Sequence, residues 1–142
     1  MTAGLVGAVR WTDRAAWDRF VSRSPTGSIF CRPCFLDALD LDWEVWRTDE
    51  TDDPIAAAIV FRDGGGQIQP APLPFTLYQG IVLSSALGAM PAYRRVQQTL
   101  ESVTALLGGL EDLGRLSWCL HHAYPDLRPF SWFHYHEPEL GR

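Results

Sequence analysis

A chain of 142 residues, 46% apolar and 20% charged, is the size of one domain able to bury its own core, so metal or disulfide staples are not required. A net charge of −5 disfavours a surface that neutralises nucleic-acid phosphates, and no apolar run approaches the roughly 18 residues that a membrane span needs. All twelve basic residues are arginine, which removes lysine Schiff-base and lysine general-base chemistry.

The opening MTAGLVGAVRWTDR lacks a basic stretch and breaks its short apolar run at Arg10. Together with an odd count of three cysteines, this predicts no secretory signal, reduced thiols and a cytoplasmic setting. Leu5 to Val9, short, apolar and bounded by glycines, predicts a first strand. Thr12 or Asp13 can cap a helix on which Ala16, Trp17, Phe20 and Val21 recur at helical spacing, until SPTG at 24–27 stops it. CRPC at 31–34 opens a second helix, because proline fits a first turn, and Phe35, Leu36, Ala38 and Leu39 carry the stripe to Leu41. WEVWRT at 43–48 predicts a strand and the acidic DETDD at 49–53 a solvated turn.

IAAAIVF at 55–61 is apolar at both alternating sets of positions, as a strand covered on both faces would be, and is the candidate sheet centre. RDGGGQ at 62–67 predicts a hairpin turn whose glycines supply positive φ. It is no phosphate cradle, since the prolines of QIQPAPLPF forbid the helix that a nucleotide loop needs. The extended stretch LPFTLYQGIVLSS contains Tyr78, Gln79 and Gly80. Pro91 then opens the longest helix, with Tyr93, Val96, Leu100, Val103 and Leu106 or Leu107 at steps of three and four, and Gly108 with Gly109 at its end. RLSWCLH at 115–121 alternates, with Leu116, Trp118 and Leu120 opposite Ser117, Cys119 and His121, and predicts a further strand.

Cys31 and Cys34 raise a dithiol redox site or, with Cys119 or the histidines 121, 122, 134 and 136, a metal site. The first should follow a parallel strand and the second needs another close ligand pair, so the cysteines are expected to pack as small apolar residues. His121 and His122, adjacent at a strand end, would point to opposite faces and share no ion. His134 and His136 could share one but have no carboxylate placed beside them, so no metal is expected. In PDLRPFSWFHY, Asp126 and Arg128 can pair amid Phe130, Trp132, Phe133 and Tyr135, surroundings in which an ion pair must be well hydrogen-bonded. The pair reads either as a structural corner or as a ligand site.

Four stretches resemble the N-terminal half of a bacterial family, the FemAB-like branch of the GNAT acyltransferase superfamily: WDRFVSRSPTGSIF at 17–30, FLDAL at 35–39, YQGIVLSS at 78–85 and DLRPFSWFHY at 126–135. The last meets an Asp-x-Arg-Pro-Phe-x-Trp-x-x-Tyr pattern at Asp126, Arg128, Pro129, Phe130, Trp132 and Tyr135. The resemblance implies one α+β, GNAT-like domain over residues 1–142, in three layers, with a mixed, mostly antiparallel sheet and helices on both faces. It also implies a detached first half, whose missing second half would handle the acyl or aminoacyl donor.

A GNAT half that binds acyl-CoA presents R/Q-x-x-G-x-G/A at the start of its central helix, where backbone amides hold the pyrophosphate. The equivalent SSALGAMPAYRR does not match: Gly88 is isolated, Pro91 removes an amide, and Arg94 and Arg95 follow the turn. The expectation is therefore a chain that binds no cofactor and lacks activity alone. It would offer Tyr78, Gln79, Asp126 and Arg128 as substrate contacts, and the aromatic tail SWFHYH as a docking surface for a second GNAT-like half or another copy of itself. The alternative is an autonomous acyl-CoA-dependent N-acyltransferase with His121 or His122 as general base.

Overall fold

A computed structural model describes residues 7–71, 73 and 76–132. Its centre is a five-stranded antiparallel sheet: β1 (Val9–Trp11), β2 (Asp42–Arg47), β3 (Ala56–Arg62), β4 (Ile68–Gln69) and β5 (Ile81–Leu83). β1 pairs with β2 and β2 with β3, while the far edge of β3 is divided between β5 at Ala56–Ala58 and β4 at Phe61–Arg62. The α-helices among the described residues are α1 (Arg14–Arg23), α2 (Pro33–Leu36), α3 (Ala92–Gly109) and α4 (Arg128–Trp132).

β3 reads as a central strand should. Ala57, Ile59 and Phe61 face the layer holding α1 and α2, and Ala56 and Ala58 face α3, so helices cover both faces of an α+β fold. Asp13 caps α1 by accepting from the Ala16 N–H at 3.0 Å, and the helix buries Ala16, Trp17, Phe20 and Val21 as its spacing predicts. Trp17, Phe20 and Trp11 of β1 pack edge-on and stacked with centroids 5.4–5.9 Å apart, and the Trp17 indole N–H donates to the Cys31 carbonyl at 2.8 Å. At the SPTG stop, the Thr26 hydroxyl accepts from the Leu83 N–H at 2.9 Å and the Ser24 hydroxyl donates to the Leu83 carbonyl at 2.5 Å, tying the end of α1 to β5.

Several expectations are corrected. The first strand starts at Val9 rather than ending there, and Leu5 and Val6 of the expected segment lie outside the described residues. The CRPC helix is a single turn, α2, instead of running to Leu41. Asp37 ends it, with its carboxylate bound by Arg14 and by the Trp43 indole, and negative charge at a helix C-terminus opposes the dipole. In the glycine turn only Gly66 has positive φ, at 78°.

α3 begins after Pro91 as expected, yet its buried positions are Thr99, Val103 and Leu106, joined by Leu110 just beyond it. Tyr93 and Val96, on the expected stripe, are 74% and 42% exposed. Residues 115–121 keep their alternation, with Leu116, Trp118 and Leu120 packed inward, but form no ladder strand. Their backbone bonds go to loops on either side: the Ala71 N–H donates to the Ser117 carbonyl, and the Cys119 N–H to the Gln79 carbonyl.

That crossing closes the divided edge of β3. Between the reach of β5 and that of β4, the Ile59 N–H donates to the Gly80 carbonyl, and the Trp118 indole donates to the Ile59 carbonyl at 2.8 Å. Gly80 is needed for this approach, since a Cβ there would stand 2.7 Å from the Trp118 Cβ. Gly80→Ala is therefore expected to destabilise the chain by about 1–3 kcal/mol, the usual cost of overpacking, read as a lower urea midpoint at unchanged slope.

Candidate functional site

The four residues expected to contact substrate separate into three environments. Gln79 is 0% exposed. Its Oε1 accepts from the Leu73 N–H and the Thr76 hydroxyl, both at 2.9 Å, and its Nε2 donates to the Phe30 carbonyl at 3.0 Å. Its amide is thus spent inside the protein, satisfying backbone groups of two loops that have no ladder partners there.

Tyr78 precedes it with φ 54°, the one non-glycine left-handed residue among those described. The strain is held by two donors on its carbonyl, the Ser28 hydroxyl at 3.1 Å and the Cys31 thiol at 3.2 Å. Its ring lies against His121, centroids 4.7 Å apart, and His121 stacks on His122 at 4.2 Å. The expectation that these histidines point to opposite faces fails because a turn, not a strand, begins at this position. The His121 Nδ1 accepts from the Ala123 N–H at 3.0 Å, so its lone pair is already engaged. Burial, and then the neighbouring His122, push the His121 pKa down.

Asp126, mostly buried, and the more exposed Arg128 line a groove of about 310 Å³ with Arg95, Val96, Thr99 and Pro125. Asp126 accepts from the Arg128 N–H at 3.0 Å and from its guanidinium at 2.5–3.0 Å. The Arg128 side chain, by bonding it, holds the Asp126 carboxyl below the usual carboxylate range. Phe130 packs toward the core beside Tyr124, whose buried hydroxyl is pushed up by desolvation; Phe133 and Tyr135 lie outside the described residues. Thr99 carries no signal in the sequence, and Arg95 figures there only as an arginine that follows the turn before α3. One turn apart on α3, they look like ordinary helix surface until the 125–128 segment comes to lie beside them, with Thr99 buried and Arg95 left exposed.

A second cleft, of about 300 Å³, is lined by Arg10, Asp42, Trp43, Glu44 and Arg62, but its charges are largely spent on one another. Buried Glu44 accepts from Arg10 at 2.7 Å, from Arg62 at 3.0 and 3.1 Å, and from the Trp46 indole at 3.2 Å. The cysteines make no disulfide. Cys31 is fully buried and desolvation pushes its thiol pKa up, opposite to what a nucleophilic thiolate requires, while Cys34 is exposed rather than packed. Among the described residues no group of three His, Cys, Asp or Glu side chains converges to hold a metal, and His134 and His136 lie outside that set. No helix among the described residues is long and apolar enough to cross a membrane. Compared with known proteins, the chain matches no family model, no curated protein and no solved structure.

Two outcomes follow from these environments. Gln79→Ala leaves the buried Leu73 N–H and the half-buried Phe30 carbonyl without this partner, and should cost about 2–3 kcal/mol in chemical denaturation. An unfolded imidazole protonates near pH 6.5, and folded His121 does so only at lower pH. Its contribution to stability is therefore complete above roughly pH 6.5 and declines as the pH falls through the folded value. An NMR titration should place the His121 midpoint below that of a free imidazole.

Proposed function

We propose that this chain is an acyltransferase-related domain of the FemAB-like GNAT kind, which supplies an acceptor-binding or docking surface and performs no transfer by itself. The observation that carries this reading is the groove where Asp126 and Arg128, the residues of its most distinctive motif, meet Arg95 and Thr99 of the long helix. Further support comes from the layout: an antiparallel sheet whose central strand is covered by α1 and α2 on one face and by α3 on the other.

The segment leading into α3 adds an electrostatic argument. Ser84 caps the 3-10 turn Ser85–Ala89, and its hydroxyl donates to the Asp53 carboxylate at 2.7 Å. A diphosphate approaching this turn would meet a carboxylate rather than a cradle of amides, and Pro91 supplies no N–H at the cap of the helix. In the rival reading, an autonomous acyl-CoA-dependent enzyme, His121 is poorly suited as the base because its Nδ1 is occupied by the Ala123 amide.

Calorimetric titration of the chain with acetyl-CoA separates the two. The proposal expects no saturable heat; binding at micromolar affinity would overturn it in favour of the autonomous enzyme.

A further inference from the structure

We infer that the groove between the first turns of α3 and residues 125–128 receives the carboxylate of a small acid that carries a short apolar body, with Arg95 as its principal contact. This deepens the acceptor-surface reading and rests on it.

Charge is the first ground. The groove is lined by two guanidinium groups, Arg95 and Arg128, and one carboxylate, Asp126, so it carries a net charge of about +1. Asp126 is bonded to Arg128 through both oxygens and its side chain is only 12% exposed, which turns its charge away from an incoming anion. Arg95 has no ion-pair partner among the described residues, and its own backbone carbonyl anchors the Thr99 hydroxyl at 2.8 Å. A planar guanidinium presents a fork that matches a carboxylate with two parallel N–H donors. A singly charged group balances the site, whereas a phosphate dianion would exceed it.

Shape and polarity are the second ground. Val96, Pro125 and the buried Thr99 line the groove beside the arginines, and a volume of about 310 Å³ accommodates an acid of amino-acid size. Val96 is 42% exposed, an uncovered apolar contact placed one residue from the charge that would fix the ligand's orientation.

The test is an amide-shift NMR titration of the chain with N-acetylalanine, its uncharged methylamide and inorganic phosphate, repeated on Arg95→Gln and on the control Arg94→Gln. N-acetylalanine should give saturable shifts centred on Arg95, Val96, Thr99, Asp126 and Arg128. Arg95→Gln should weaken it by roughly tenfold or more, the loss expected for a charged hydrogen bond, and Arg94→Gln should leave it unchanged. The amide spectrum itself verifies that both variants fold. The inference is overturned if N-acetylalanine fails to saturate, if the methylamide or phosphate binds as tightly, or if Arg95→Gln binds as the parent does. Such a failure leaves the acyltransferase-related reading standing, because that reading falls only to acetyl-CoA binding.

Discussion

The fold depends on how the far edge of β3 is satisfied. Two short strands share that edge and leave a break at Ile59, where buried backbone groups must still find partners. Gly80 and the indole of Trp118 fill the break, and the neighbouring Gln79 side chain ties Leu73, Thr76 and Phe30 to the same spot. A single tripeptide, Tyr78 to Gly80, thus joins the loop before α2, the proline-rich loop, the centre of the sheet and the segment after α3. Cooperativity between otherwise local elements passes through these bonds.

Much of the architecture was legible locally. Asp13, Pro91 and the doubly apolar β3 each act through nearest neighbours, so their meaning can be read from a few residues of sequence. What was not legible depends on distant chain. A glutamine inside an apolar stretch looks the same whether it greets a ligand or clamps a loop, and only the arrival of Phe30 and Leu73 decides that Gln79 is a clamp. The alternation at 115–121 correctly named the inward side chains, yet alternation does not ensure a neighbouring strand to pair with. The apolar stripe of α3 predicted the helix but not which of its members would be covered, and Tyr93 and Val96 lie exposed while Val103 and Leu106 are buried.

The same long-range logic separates the candidate residues by role. Around Tyr78, strain and buried donors fix a ring against two imidazoles, an arrangement of packing in which one histidine nitrogen is already committed to the backbone. Around Arg95 the helix is uncovered, and the charged motif from the tail folds beside it without burying it. The polar side chains of Gln79 and Glu44 are satisfied within the protein, whereas Arg95 in the α3 groove has no ion-pair partner among the described residues.

The margins of the sheet carry a final implication. β1 is three residues long, with Arg10 at its middle and its guanidinium over the Trp46 ring, and β4 is two residues long and runs directly into Pro70. Neither offers the continuous row of unpaired amides and carbonyls that lets one sheet zip onto another. Along these two margins, main-chain templating between molecules is thereby discouraged.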